Sequence, residues 1–293
     1  MITQLRGIIP PIVTPFDEDG NIDEAAFCKD IDYLLQVGVH GLAVGGSTGE
    51  GHTLSAEELI QLNRKAILQV SGKVPVIAGI IADSTREVIA RGKALADLGV
   101  AALQITPVHY LFAPDEQAMY DYYAQISDRV GIPIIIYNVI PWSYCSPKLL
   151  VRMIREIDHV VGVKQSAGDM HALAELLMLL QGDGLVFAAV DDLLYPCFAL
   201  GSHGAIAAIL TAVPGACLDL WNAVQDGRYD EALSIHNQLF ELWLALSGPN
   251  LPARVKTAMR LQGRASGLPR SPMPSPTKSE EARIRSALEK IRR

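Results

Sequence analysis

The sequence predicts an α/β protein, a TIM (β/α)8 barrel over residues 1–227 followed by a helical C-terminal extension over 228–293. Three observations carry that prediction. Short runs rich in Val, Ile and Leu alternate with helical patterns at a fairly even spacing, roughly eight times over. The runs are near-continuous in hydrophobicity, as in parallel strands buried on both faces. Strand signals stop at Arg228, and only helical ones follow. A length of 293 residues suits such a barrel with a small addition. The competing doubly wound sheet usually stops at fewer strands and needs two halves about a switch point.

In order, residues 8–16 read as the first strand, and Asp23 opens an acidic helix N-terminus running to Gly38. The second strand is 41–46. Ser55 with Glu58 predicts a capping box for a helix ending near Gly72. Residues 75–80 are the third strand, and Ser84 with Glu87 predicts a second capping box for a helix that Gly99 ends. The fourth strand is 101–107, with a helix over 115–130. The fifth is 133–139, and Pro147 suits the first turn of the next helix. The sixth is 160–166, after which Asp169 opens a helix. Residues 185–192 and 204–209 are the seventh and eighth strands, with a helix over 213–225. The extension reads as helices over 229–246, 251–261 and 279–291, with a Pro/Ser-rich loop at 267–276.

Composition narrows the function. Hydrophobic residues make up 49% of the chain, enough for a large core. The formal charge is −7 with no basic run before the C-terminal tail, against nucleic acid or an anionic membrane as partner. Cys28, Cys145, Cys197 and Cys217 form no CxxC pair and read as reduced thiols. The N-terminal residues lack a leader-like apolar segment, and no apolar run approaches about 18 residues, so a cytoplasmic protein is expected. The histidines form neither HExxH nor a close His/Asp cluster, so neither metal nor cofactor is expected.

In a barrel the chemistry belongs at the C-terminal strand ends. The sixth strand ends in Lys164. Such a lysine either snorkels to water or is desolvated and presents a neutral amine to a carbonyl. Gly45-Gly46-Ser47-Thr48-Gly49-Glu50-Gly51 follows the second strand, and its amides and hydroxyls can cradle a carboxylate or phosphate. A Gly-rich turn alone is more often structural. It is no P-loop, since no GK[ST] follows. His109 and Tyr110 end the fourth strand, Tyr137 and Asn138 the fifth, Asp191 and Asp192 the seventh. Singly, Tyr137 reads as a buried aromatic plug and His109 as a surface residue. Together, an amine, a tyrosine, an anion cradle and a carboxylate pair converge on one mouth. A lysine there can serve as electron sink through a protonated imine.

These motifs resemble the pyruvate-dependent class I aldolases that include dihydrodipicolinate synthase and N-acetylneuraminate lyase. The resemblance covers essentially the whole chain. It rests on Gly46-Ser47-Thr48-Gly49-Glu50, Tyr137-Asn138, Val163-Lys164 and Gly168-Asp169, in that order. It implies that Lys164 forms a Schiff base with pyruvate, that Tyr137 relays the proton, that Ser47 and Thr48 hold the pyruvate carboxylate, and that Thr48 counts with Lys164 and Tyr137 among the catalytic residues. Gly46, His109, Tyr110, Asp191, Asp192 and Ile206 complete the expected substrate-binding set. It also implies a homotetramer in which the loop bearing His109 or Tyr110 reaches a neighbouring site. In dihydrodipicolinate synthases an arginine beyond the fifth strand grips the second substrate's carboxylate. Trp142 stands about there in this chain, and no Arg or Lys lies between Val130 and Lys148. The expected reaction is a carbon–carbon lyase step on a 2-keto-3-deoxy sugar acid or sialic-acid-like substrate. Dihydrodipicolinate synthase activity or a dehydratase using the same imine is the alternative, and a retired keto-acid-binding barrel the non-enzymatic one. Of Asp191 and Asp192, one is expected to cap the helix starting near Leu193 and the other to face the mouth.

Overall fold

The structure, a computed structural model, describes residues 5–291. Strands β1 (Gly7–Ile8), β2 (Leu42–Val44), β3 (Val76–Ile80), β4 (Ala102–Ile105), β5 (Ile134–Asn138), β6 (Val160–Gln165), β7 (Leu185–Ala188) and β8 (Gly204–Ala205) pair in parallel. Their spatial order is β1-β8-β7-β6-β5-β4-β3-β2. Its two ends meet at a parallel bridge between Pro11 and Ala43, where Ile12 N–H donates to the Ala43 carbonyl and Ala43 N–H to that of Pro10. The sheet therefore closes into the predicted barrel.

Helices α1 (Glu24–Val37), α2 (Ala56–Val70), α3 (Thr85–Ala96), α4 (Glu116–Val130), α5 (Pro147–Glu156), α6 (Met170–Leu180) and α7 (Leu194–Ala199) follow the first seven strands. Helices α8 (Ala208–Ala212) and α9 (Pro214–Gln225) follow β8, and α10 (Tyr229–Leu246), α11 (Leu251–Leu261) and α12 (Lys278–Leu288) complete the chain. Asp23, Ser55, Asp115, Ser146 and Asp169 cap their helices with side-chain oxygens, so most predicted starts hold.

Four expectations are corrected. The eighth strand, expected over 204–209, is only Gly204–Ala205, because α8 begins at Ala208. The first strand was expected over 8–16, but its ladder is Gly7–Ile8. Pro10, Pro11 and Pro15 have no N–H to give, so the segment continues as extended chain with single bridges. The Ser84 side chain makes no capping bond. A capping box forms instead at Thr277 with Glu280, starting α12 at Lys278, and that helix ends at Leu288. The seventh strand stops at Ala188, leaving Asp191 and Asp192 beyond it.

Inside the barrel Ile9, Ala43, Ile77, Ala102, Ile135 and Phe187 pack together, apart from the larger core between strands and helices. Successive strand residues alternate faces, so Ile135 inside places Tyr137 inside as well, one layer nearer the C-terminal ends. Tyr137 pairs in register with Lys164, and Lys164 with the inward-facing Phe187. Strand register thus aims Lys164 into the barrel. Among the described residues no helix is long and apolar enough to cross a membrane.

Candidate active site

Lys164 is 4% exposed, so the snorkelling alternative is not what the fold builds. Its Nζ lies 3.6 Å from the centroid of the Tyr137 ring. The Tyr137 hydroxyl donates to Ser47 Oγ at 3.2 Å. Strand ends five and six are thereby tied to the turn after strand two. Asn138, next in sequence, does a different job. Its amide donates to the Cys145 carbonyl and to Gln165, and its oxygen accepts from Cys145 N–H, fastening the loop after β5.

The turn of residues 45–51 folds back on itself. Gly51 N–H donates to the Gly46 carbonyl and Glu50 N–H to that of Ser47. A Cβ on Gly51 would lie 1.9 Å from the Gly45 oxygen, so only glycine fits there. Glu50 has φ of 55°, a left-handed conformation costly for a side chain. Thr14 Oγ1 donates to the Gly49 carbonyl at 2.6 Å, fixing the turn from the extended segment after β1. Thr48 is buried and Ser47 is exposed toward the mouth.

These groups line a cavity of about 430 Å³ at the C-terminal strand ends, together with His52, Val139, Ser166, Asp191 and Ile206. Pro249, Leu251, Pro252 and Met273 form its outer wall. Asp191 accepts a hydrogen bond from Ile209 N–H at 2.7 Å. Burial pushes its carboxyl up to about 7, against the opposing pull of that N–H and of Lys164. A larger cavity of about 660 Å³ lies at the opposite, N-terminal face, lined by Arg6, His40, Lys73 and Trp221 among others. Lys73 there is exposed and the His40 ring is taken up accepting from Ile8 N–H, so the chemistry belongs to the smaller one, with its buried amine. Among the described residues no group of His, Cys, Asp and Glu side chains converges on a possible metal position.

Several expected site residues lie elsewhere. Neither Asp191 nor Asp192 caps α7, whose N-cap is Leu193 with no side-chain bond. With the strand ending early, Asp191 turns inward and serves the first turn of α8 instead. Asp192 does not line the cavity; its charge acts on His236 of α10. His109 and Tyr110 do not line it either. Their N–H groups both donate to Asp83, at 2.6 and 2.9 Å, and Tyr110 is 75% exposed. Gly46 lies beneath the turn as a hydrogen-bond acceptor, not on the cavity wall. Trp142 is exposed and donates from Nε1 to the His109 carbonyl, joining the loops after β4 and β5.

Sequence reasoning missed Ser166 and the whole wall from the C-terminal helices. Ser166 was findable: it lies two residues past Lys164, where a chain that stays extended past the strand end returns to the same face. Its buried Oγ has no hydrogen-bond partner, an unusual state for a polar atom bordering a cavity. The arrangement offers a buried amine, a tyrosine hydroxyl beside it, and a hydroxyl-and-amide turn for a carboxylate. That set suits imine formation with a 2-keto acid.

Comparison with known proteins identifies the family. Residues 4–291 match the model of the dihydrodipicolinate synthetase family. The chain is 32% identical over 291 residues to a 4-hydroxy-tetrahydrodipicolinate synthase from Methanopyrus kandleri, covering 98% of this chain and 97% of that one. Its structure resembles dihydrodipicolinate synthase DapA-2 from Bacillus anthracis, with a TM-score of 0.93, 31% identity, and coverage of 98% and 99%. It also resembles YagE, a prophage protein of the dihydrodipicolinic acid synthase family from E. coli K12 solved with pyruvate. There the TM-score is 0.92, identity 27%, and coverage 98% of each chain.

Proposed function

The chain belongs to the dihydrodipicolinate synthetase family and is a lyase of that family, and from that premise we propose that it cleaves or forms the carbon–carbon bond next to pyruvate in a 2-keto-3-deoxy sugar acid or sialic-acid-like substrate. One observation carries the substrate class. The acceptor side of the cavity presents the Asp191 carboxyl and the unpartnered Ser166 hydroxyl, and Lys164 is the one Lys or Arg on its described wall. The Asp191 carboxyl can accept from substrate hydroxyls and, when ionised, repels a second carboxylate, while the Ser166 hydroxyl can donate or accept and so fits a polyol chain.

In this reading Ser47 and Thr48 hold the keto acid's carboxylate. Lys164 Nζ adds to its C2 carbonyl, and loss of water gives the imine. Tyr137, having given its hydroxyl proton to the water lost in imine formation, takes the proton from the C4 hydroxyl as the C3–C4 electron pair moves into the protonated imine. An aldehyde leaves. The resulting enamine is protonated at C3, and water releases pyruvate from Lys164. No cofactor enters these steps. The protein works in the cytoplasm, with neither nucleic acid nor membrane as partner. Residues 1–227 act as barrel and 228–293 as appended helices. A homotetramer accounts for the exposed apolar patch of Tyr110, Leu111, Phe112 and Trp142, which carries His109 and Tyr110 to a neighbouring mouth.

The second reading is 4-hydroxy-tetrahydrodipicolinate synthase activity, favoured by the names of the curated relatives. Trp142, packed on the His109 carbonyl, supplies no guanidinium for the second substrate. A pyruvate-release screen across 2-keto-3-deoxy sugar acids and sialic acids tests the proposal, with borohydride trapping of the Lys164 adduct alongside. Trapping without release from any of them, but with rapid condensation of aspartate semialdehyde, gives the second reading. Neither trapping nor turnover leaves a barrel that only binds.

A further inference from the structure

The Glu50 carboxylate is 0% exposed, yet it belongs to the turn that ends in the cavity. It receives Lys256 Nζ at 2.5 Å on one oxygen and Arg270 N–H at 2.9 Å on the other. Both partners come from more than two hundred positions away in sequence. Lys256 is itself 2% exposed; burial pulls its amine down while Glu50 pushes it back up. Its ammonium also donates to the Leu268 carbonyl at 2.7 Å. The Arg270 guanidinium holds the same region again, through the carbonyls of Gly20 and Thr53 and the carboxylate of Glu58.

The placement of those partners matters. Lys256 lies one helical turn beyond Pro252 on α11, so both project from the same face of that helix. Pro252 walls the cavity, as does Met273, three residues past Arg270. The Glu50 carboxylate is thus the joint between the keto-acid turn and both pieces of the outer wall. It also explains why a non-glycine residue is kept at φ of 55°: only a side chain reaching inward there meets Lys256.

We infer that Glu50 and Lys256 form a positioning pair that sets the distance between the keto-acid turn and the wall of α11 and the 268–273 loop. They fix how far an acceptor is held from the imine carbon. Neither touches substrate. The inference rests on the reading of Ser47 and Thr48 as the keto-acid site, and its test separates the two.

The test is the double variant Glu50→Gln/Lys256→Met, which removes both charges at once and keeps an acceptor for Arg270 N–H. Loss of position without loss of the reacting groups is expected to raise KM for the pyruvate-releasing substrate about tenfold or more, with kcat changed far less. Borohydride should still trap pyruvate on Lys164 at saturating concentration. A purely structural pair would lower the melting temperature and leave KM alone, and that result overturns the inference. Should the double variant not fold, Glu50→Asp retains the charge and withdraws it by one methylene. A higher KM in that variant, reversed when Lys256 is changed to the longer-reaching arginine, supports the pair; an unchanged KM sinks it. If wild-type protein itself fails to trap pyruvate, the keto-acid reading falls first.

Discussion

On one side of the mouth, Tyr137 and Lys164 are register partners on adjacent strands, so the backbone ladder fixes their separation. On the other, the 45–51 turn leaves its strand after Val44 and is held by a buried ion pair to α11 and by Arg270. The first half is local geometry, reproduced wherever two strand ends meet. The second depends on charges brought together only when the C-terminal helices dock. Placing reactive groups and placing a ligand's anchor are therefore separable problems here, and each can be broken alone.

The largest effect belongs to the ladder half. Lys164→Ala removes nucleophile and electron sink together, so kcat/KM should fall by several orders of magnitude, about 10⁴-fold or more. Pyruvate with borohydride should add mass at Lys164 in wild type and nowhere in the variant. Retained activity that a chelator abolishes would refute imine chemistry. Next is Tyr137→Phe, which keeps the ring beside Lys164 but deletes the hydroxyl bonded to Ser47. A loss of about 10²–10⁴-fold in kcat is expected for a proton-transfer group. An equal loss in Ser47→Ala would shift the role from the hydroxyl to its orientation.

The sequence made one half of the site readable and left the other half dark, for a physical reason. Strand ends can be counted, so the sequence alone puts Lys164, Tyr137 and Asp191 at the mouth. The Gly-rich turn after the second strand suggests an anion cradle only weakly, and it is the family resemblance that implies Ser47 and Thr48 as its working residues. Nothing local to Glu50 says that Lys256 will meet it, because pairing across 206 positions is decided by helix docking. The outer wall of Pro249, Leu251, Pro252 and Met273 was missed for the same reason. Asp191 and Asp192 were placed as strand-end residues, but their division of labour turned on where β7 stops. The missing N–H groups of Pro10, Pro11 and Pro15 were present in the sequence, and should have shortened the first strand.

A smaller effect sharpens the acceptor side. Aspartate semialdehyde needs a partner for its carboxylate, and Trp142 offers an indole already bonded to the His109 carbonyl. A charge-assisted contact contributes about 1.5–3 kcal/mol, so its absence should weaken this acceptor roughly ten- to a hundred-fold. A coupled assay with pyruvate that turned over at the rate of an efficient synthase would overturn the substrate class.

The smallest effect is a pH dependence at Asp191, where the two halves meet across the cavity. Its carboxyl is raised to about 7 in the fold, chiefly by burial, from an ordinary value near 3.8. The folded state therefore holds a proton that the unfolded chain has released. Stability contributed by this group is full below about pH 4 and is lost as pH rises through about 7, a penalty on the order of a few kcal/mol. Above that pH the cavity also gains a negative charge facing an anionic keto acid. Substrate KM should accordingly rise several-fold between about pH 6 and 8. Asp191→Asn still offers an oxygen to Ile209 N–H but cannot ionise. In that variant the KM rise should flatten, and the melting temperature relative to wild type should be higher at pH 8 than at pH 5. Parallel pH profiles for variant and wild type, in both KM and melting temperature, would show that Asp191 does not titrate there.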